Sequence, residues 1–163
     1  MEKSNYENVH RIEIYAKKFE YDLACMGWQL VSILTAFVNE KNIKWLVFDL
    51  YGSTESDLNF LFKKNDKGFT VFDSTHELIS SVEKVIQFES GVFCMVGNEV
   101  IHILNSSFNF FEPPETEGPD ILQIRNSLCE IRTFDYTCFE IYSKKLDYLN
   151  SILSSLKKLD GLA

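Results

Sequence analysis

The stretch Ile43-Lys44-Trp45-Leu46-Val47-Phe48-Asp49-Leu50-Tyr51 is the most informative part of the sequence for the fold. It is rich in β-branched and aromatic residues, and both its odd and its even positions are largely apolar. A strand with one face in water would alternate between apolar and polar residues, so this pattern predicts a strand covered on both faces. We therefore expect other elements to pack against both of its sides.

The segments around this strand alternate between strand and helix patterns. Hairpin signals are prominent, and the capping box Ser74-Thr75-His76-Glu77 predicts the start of a helix. The predicted strands are 10–16, 43–51, 58–63, 69–73, 92–96, 99–104 and 133–142, and the predicted helices are 22–38, 74–90 and 143–159, with a further helical or mixed stretch up to residue 132. This order predicts an α+β fold with a single domain over residues 1–163, in which a mixed or largely antiparallel sheet packs against about four helices.

The charge balance of the chain is acidic. Sixteen Lys and Arg residues stand against twenty-four Asp and Glu residues, which gives a net charge of −8. A field of this sign repels phosphate groups, so we expect neither nucleic acid nor an anionic membrane to be the partner. No apolar run approaches the roughly 20 residues that a membrane span needs. If the chain has a partner, the charge favours a basic one.

The N-terminus and the cysteines predict a reducing, cytoplasmic location. The first residues lack the basic-then-apolar pattern of a secretory signal. The spacings between Cys25, Cys94, Cys129 and Cys138 match no zinc or redox motif. We therefore interpret the four cysteines as reduced thiols that pack as small apolar residues.

No motif in the sequence names a reaction, a cofactor or a metal. The three histidines lie far apart, and neither His-x-x-x-His, Cys-x-x-Cys nor a glycine-rich phosphate loop occurs. Asp49 is a lone carboxylate on an apolar strand. It could be a catalytic group, but we favour an Asp49 at the strand end that faces solvent or bonds to a loop. We therefore predict no catalytic residue, no metal site and no cofactor.

The distribution of charge is more informative than its sum. Forty residues between Lys84 and Arg125 contain no Lys or Arg. The same stretch contains six acids: Glu89, Glu99, Glu112, Glu115, Glu117 and Asp120. The middle of the chain is therefore one-sided in charge.

Within this stretch, the segment 107–120 combines aromatic residues, acids and all three prolines. Prolines stiffen a loop and lower the entropy that it loses on binding, and aromatic anchors inside a ring of charge are typical of interface hot spots. We predict that a partner is bound by Phe110, Phe111, Glu112, Glu115, Glu117 and Asp120, and less strongly by a second acidic turn with Glu55 and Asp57. The alternative is a solvated loop whose phenylalanines pack inward.

In character, the chain resembles the immunity proteins of bacterial polymorphic-toxin and contact-dependent growth inhibition systems. The resemblance rests on the base-free stretch from Val85 to Ile124, the loop Phe110-Phe111-Glu112-Pro113-Pro114-Glu115 and the turn Gly52 to Asp57. It implies an intracellular protein, not an enzyme, that neutralises one cognate toxin domain, often a nuclease, by binding it directly. We expect that toxin domain to be basic and the immunity protein to be a monomer.

Two other functions stay open at this point. The chain could be a small hydrolase or transferase that uses Asp49 with Glu55 or Asp57 at the end of a strand. It could also be a structural subunit that dimerises through the leucine-rich face of residues 146–159.

Overall fold

A computed structural model describes residues 8–106 and 112–160 of the chain, and its strands form one antiparallel sheet. The strands are β1 (His10–Tyr15), β2 (Ile43–Thr54), β3 (Thr70–Phe72), β4 (Val85–Gly97), β5 (Cys129–Phe134) and β6 (Cys138–Ser143). Their order across the sheet is β1-β6-β5-β4-β2-β3, so β1 and β3 are the edges. The expected α+β fold is confirmed, and the sheet is antiparallel throughout its described strands.

The predicted central strand is β2, which pairs with β4 on one side and β3 on the other. Trp45 and Val47 point to one face of the sheet, Leu46 and Phe48 point to the other, and all four are buried. Apolar residues are needed at consecutive positions because both faces of this strand are covered.

Among the described residues, five α-helices accompany the sheet: α1 (Gly27–Leu34), α2 (Leu58–Leu61), α3 (Thr75–Val82), α4 (Asn98–Ser106) and α5 (Leu146–Asp160). The expectation of about four helices is close, since α2 is a single turn. Helices α1, α3 and α5 cover the face that carries Trp45 and form the larger core with it. On the other face, Val100 of α4 and Ile124 pack against the smaller cluster around Leu46 and Phe48.

The start of α3 follows the predicted capping pattern. Ser74 Oγ accepts a hydrogen bond from the Glu77 amide at 3.2 Å, and Glu77 Oε2 accepts one from the amide of Asp73 at 3.0 Å. Trp45 Nε1 donates to Thr75 Oγ1 at 3.0 Å, which ties the first turn of α3 to β2. The cap thus fixes both where α3 begins and how it meets the sheet.

The end of α3 differs from the predicted helix 74–90. The helix ends at Val82, and β4 already begins at Val85. Phe88 lies opposite Gly52 of β2 in the sheet. The apolar residues after Val82 fit either pattern, and pairing with the long strand β2 makes them a strand.

Two predicted hairpins are wrong. Residues 58–61 form α2 instead of a strand, and Phe72 of β3 pairs with Trp45 of β2. The strand that was predicted to turn at Gly97-Asn98 instead runs from Val85 to Gly97 and continues directly into α4. An apolar run after Gly-Asn fits a strand or a helix equally well. The helix forms here because the second face of the sheet needs a covering element.

The predicted strand 133–142 is in fact two strands. β5 and β6 pair with Phe134 opposite Cys138, and the chain reverses over residues 135–137. Asp135 and Tyr136 both have positive φ angles, of 44° and 58°. This left-handed backbone allows the tight reversal. The sequence pattern does not indicate the turn, because the alternation of apolar residues continues across it.

Helix α5 buries its apolar stripe in the protein itself. Leu149, Ile152 and Leu156 are buried and belong to the larger core. These residues are therefore not available as the dimer interface that the leucine pattern allowed.

The four cysteines are free and buried. None of the helices in the described ranges combines the length and the apolar character that crossing a membrane requires.

Candidate functional site

An open cavity of about 470 Å³ lies where β2, β4, the turn after β5 and the segment 112–120 meet. We call it the acidic cavity. Its lining residues are Asp49, Tyr51, Glu89, Ser90, Glu115, Thr116, Glu117, Phe134 and Asp135. Five of the nine carry carboxylates, and none of these nine described residues is a Lys or Arg.

The five carboxylates are exposed, and cations do not neutralise them. None of them forms an ion pair with a Lys or Arg of the described part of the chain. Five like charges around one concave surface create a strongly negative local potential, because the low-dielectric walls focus the field. The surface therefore attracts positive charge.

A β-bulge in β2 brings Asp49 to the acidic cavity. The pairing of β2 with β4 shifts register between Phe48 and Tyr51, and Asp49 has a φ angle of 52°. A bulge of this kind redirects a side chain that would otherwise follow the strand's alternation. Asp49 Oδ2 then accepts a hydrogen bond from the amide of Thr116 at 2.8 Å. The bond to a loop agrees with the favoured interpretation of Asp49, but the predicted position at the strand end is wrong, because Asp49 lies at a bulge within β2.

Thr116 is the point where the acidic segment meets the sheet. Its side chain is buried, and its Oγ1 accepts a hydrogen bond from the amide of Gly91 in β4 at 3.0 Å. With the bond from its own amide to Asp49, Thr116 joins the loop to both central strands. Glu115 and Glu117, on either side of it, are thereby held at the rim of the acidic cavity.

The side chain of Gln123 binds the backbone of the segment 112–120 at Glu115. Its Oε1 accepts from the amide of Glu115 at 2.9 Å, and its Nε2 donates to the carbonyl of the same residue at 2.9 Å. Nε2 also lies 3.1 Å from Glu130 Oε2, whose side chain is buried on β5. The backbone at Glu115 is therefore fixed by a side chain that is itself anchored on the sheet.

Arg132 lies beneath the segment and binds its backbone. Nη1 donates to the carbonyl of Gly118 at 2.9 Å, and Nη2 donates to the carbonyls of Pro119 and Ile121 at 2.6 and 2.8 Å. Nε donates to Glu130 Oε2 at 2.6 Å. The arginine is 1% exposed. Its hydrogen bonds go to Glu130 and to backbone carbonyls, and none of them goes to a carboxylate of the acidic cavity.

The buried charges continue across the sheet towards β1. The guanidinium of Arg132 lies over the ring of Tyr142, with Cζ 4.2 Å from the ring centroid. The Tyr142 hydroxyl donates to Glu140 Oε2 at 2.5 Å and accepts from Arg11 Nε at 3.1 Å. Burial and the bond to Glu140 raise the pKa of Tyr142 well above its usual value. The phenol therefore stays protonated and remains a donor to Glu140.

Aromatic residues accompany the carboxylates. Tyr51 is 62% exposed and lies opposite Ser90, and Phe134 is half-buried in the lining. Tyr136, next to the lining residue Asp135, is 48% exposed. Loss of hydration, the charges of Glu89 and Asp135 and a hydrogen bond to Glu89 raise the pKa of Tyr136. Exposed rings beside carboxylates suit contact with lysine or arginine side chains.

The structure brings together some of the predicted partner-binding residues and not others. Glu115 and Glu117 line the acidic cavity, whereas Glu112 and Asp120 are exposed but not among its lining residues. Glu55 and Asp57 also lie outside the lining, and Asp57 Oδ1 accepts from the amide of Asn59 as the N-cap of α2. Phe110 and Phe111 fall within residues 107–111, outside the described residues.

Six lining residues of the acidic cavity were not predicted as site residues: Tyr51, Glu89, Ser90, Thr116, Phe134 and Asp135. Glu89 belongs to the base-free stretch, which was a signal for it, but Asp135 and Tyr51 gave no signal in the sequence. Only the pairing of the strands places them near Glu115. Within residues 8–106 and 112–160, no three His, Cys, Asp or Glu side chains are grouped closely enough to hold a metal ion. The five carboxylates thus surround the acidic cavity without converging on one point.

Comparison with known proteins adds no relative, since no family model, curated protein or solved structure matches the chain.

Proposed function

We propose that the protein is a cytoplasmic immunity protein that neutralises a cognate basic toxin domain, such as a nuclease, by binding it at the acidic cavity. The observation that carries the proposal is the set of five exposed carboxylates around one cavity without a Lys or Arg among its lining residues. The resemblance in composition to immunity proteins points to the same class. We propose binding, not catalysis, as the mode of action.

The arrangement of the carboxylates favours a protein partner over a small cation. They are spread over β2, β4, the turn after β5 and the segment 112–120. A toxin domain that binds nucleic acid likewise carries several Lys and Arg side chains that are spread over a surface and do not converge on one point. Such a partner could place one cation near each carboxylate, while its own substrate site is covered.

The anchoring of the segment supports tight binding. Its backbone is held by Asp49, Gln123 and Arg132 before any partner arrives. A loop that is already ordered loses little conformational entropy when it is bound. Tyr51 and Tyr136 add exposed rings that can be buried at the centre of an interface.

Asp49 has a structural task that explains its presence without catalysis. Its carboxylate accepts the Thr116 amide, and its carbonyl oxygen accepts a bond from Ser90 Oγ at 2.8 Å. Glu55 and Asp57, the carboxylates suggested as its catalytic partners, are not in the lining that contains Asp49. We therefore propose binding in preference to a hydrolase or transferase built on these three residues.

An immunity gene should lie directly after the gene of its toxin, so the proposal is tested with a toxin domain encoded at that position. The protein should bind that domain in equal amounts and inhibit its activity. Because association is steered by charge, the association rate should fall steeply as the salt concentration rises past physiological values. Stopped-flow fluorescence measures this rate. Tight binding with a rate that salt does not change, or a partner domain that is acidic, would refute the proposal.

A further inference from the structure

The two edges of the sheet differ in a way that concerns assembly. The edge strand β3 has only three residues, and very short edge strands are a common protection against unwanted pairing. The other edge strand, β1, has six residues, and no described strand pairs with its outer side. An open edge of this length presents a row of unpaired backbone groups that another strand can use.

A groove of about 550 Å³ runs beside the outer edge of β1. Glu13, Ile14 and Tyr15 line it from the strand, and Leu153 lines it from α5. The other lining residues are charged: Lys17, Lys18 and Glu20. A groove between an edge strand and a helix is the geometry in which an added strand is bound by backbone hydrogen bonds while its side chains fill the groove. Tyr15 is exposed at this edge, so an added strand would also cover apolar surface.

The charged residues of β1 are complementary to those of a second, antiparallel copy of β1. Arg11 and Glu13 lie on the same face of the strand, and Arg11 Nη2 is 2.6 Å from Glu13 Oε1. If a second β1 pairs antiparallel so that Ile12 lies opposite Ile12, Arg11 of each copy lies opposite Glu13 of the other. Arg11 already lies near Glu13 and Glu140 of its own copy, and pairing adds Glu13 of the other copy as a third carboxylate neighbour. Opposite charges directly across an antiparallel pair are stabilising.

Other registers lack this complementarity. A slip of two residues in one direction places Glu13 opposite Glu13, and the same slip in the other direction places Arg11 opposite Arg11. A slip of one residue would join the core-facing side of one sheet to the opposite side of the other. The charge pattern therefore selects one symmetric register.

We propose that a second copy of this chain pairs with the outer edge of β1 and forms a symmetric dimer with one continuous sheet across both copies. The interface is isologous, as in most two-fold dimers. The groove and the acidic cavity share no lining residue, so the dimer is independent of the proposed partner binding. The proposal differs from the monomer that the sequence favoured, because the open edge is visible only in the folded chain.

An engineered cysteine tests the register. Opposite residues of an antiparallel pair have Cα atoms about 4.5 to 5.5 Å apart, which is within reach of a disulfide. The variant Ile12→Cys should form a disulfide-linked dimer with oxidised glutathione, because residue 12 faces itself across the two-fold axis. In His10→Cys the two sites are about 13 Å apart along the strands, so cross-linking should be much slower. The native cysteines are buried and should not react.

A charge variant tests the interface without a cross-link. Light scattering of the whole chain should give twice the monomer mass. Glu13→Lys should raise the dissociation constant at least about tenfold, because the introduced ammonium then faces Arg11 of the other copy. Glu83→Lys makes the same charge change on an exposed residue outside β1 and should leave the dimer intact.

Thermal unfolding shows whether both charge variants fold, so a failure to dimerise can be told apart from a failure to fold. Three results would overturn the proposal. They are a monomeric wild type at its highest soluble concentration, a dimer that survives Glu13→Lys, and equal cross-linking of His10→Cys and Ile12→Cys.

Discussion

Arg132 and Glu130 form an ion pair inside the protein, with Nε and Oε2 2.6 Å apart and side chains that are 1% and 0% exposed. The pair lies on β5, directly under the acidic segment, and the remaining guanidinium hydrogens bind backbone carbonyls of that segment. The cation that holds the loop in place is therefore paired with Glu130 and forms no ion pair with the carboxylates of the acidic cavity. This arrangement explains how an ordered loop can keep an acidic surface.

Removing one partner of this ion pair should be costly. Arg132→Met leaves Glu130 buried without its cation, which typically costs about 3–5 kcal/mol of unfolding free energy. Urea unfolding of Arg132→Met, Glu130→Met and the double variant measures the effect. Because the two side chains act together, the double variant should lose at least about 1 kcal/mol less than the sum of the single losses. Strictly additive losses would show that the pair is not the anchor described here.

Gly118→Ala should loosen the acidic segment without unfolding the protein. A Cβ atom at Gly118 would lie 2.1 Å from Gln123 Oε1, so the Gln123 side chain must move and lose its bonds to Glu115. We expect a loss of about 1 kcal/mol and faster hydrogen exchange at the Glu115 amide. Gly97→Ala is the matched control, because a Cβ there has no neighbour within 4 Å. Unchanged exchange in Gly118→Ala would contradict the proposed anchoring by Gln123.

Two substitutions of Asp49 test its role in anchoring the segment 112–120. Asp49→Asn keeps an oxygen that can accept the Thr116 amide and tolerates the positive φ, so its stability should stay within about 0.5 kcal/mol of the wild type. Asp49→Ala loses the acceptor and is strained at this φ, and should cost about 1–3 kcal/mol. Thermal unfolding compares the two. Equal stability of Asp49→Ala and wild type would contradict the anchoring role.

The fold could be predicted where a segment's pattern has one structural solution. β2 has apolar residues at both odd and even positions because both of its faces are covered. α5 shows a clear apolar stripe at helical spacing. The boundary between β4 and α4 could not be predicted in this way. Apolar residues on both sides of Gly97-Asn98 are compatible with a hairpin, and only the uncovered cluster around Leu46 decides for a helix.

The acidic cavity shows the same division between local and long-range information. Glu115 and Glu117 were found because proline, aromatic and acidic residues are adjacent in the sequence. Asp135 contributes through the register of β4, β5 and β6, and Asp49 through a bulge in β2. Neither register nor bulge leaves a local pattern, so a sequence can indicate that a loop is acidic but not which strands complete its surface.

Stability should decrease at alkaline pH because buried thiols resist ionisation. Burial raises the pKa of Cys25 from 9.0 to about 12. Between these values the unfolded chain loses the proton and the folded chain keeps it, so the unfolded state is favoured as the pH rises. Cys25→Ser removes this group, and the decline of the unfolding free energy between pH 9 and 12 should become shallower by roughly 1.4 kcal/mol per pH unit. Urea titrations at several pH values measure the slope, and an identical slope in both proteins would contradict a buried, protonated Cys25.

The most direct test of the account is charge reversal at the rim of the acidic cavity. The variant with Glu115→Lys and Glu117→Lys is compared with a control carrying Glu40→Lys and Glu83→Lys, which makes the same charge change at exposed residues outside the lining. Calorimetric titration with the cognate toxin domain should show at least about hundredfold weaker binding for the first variant, because close interfacial charge pairs contribute about 1.5 kcal/mol or more each. The control should bind almost as the wild type does. Equal weakening in both variants, or no weakening in the first, would contradict binding at the acidic cavity.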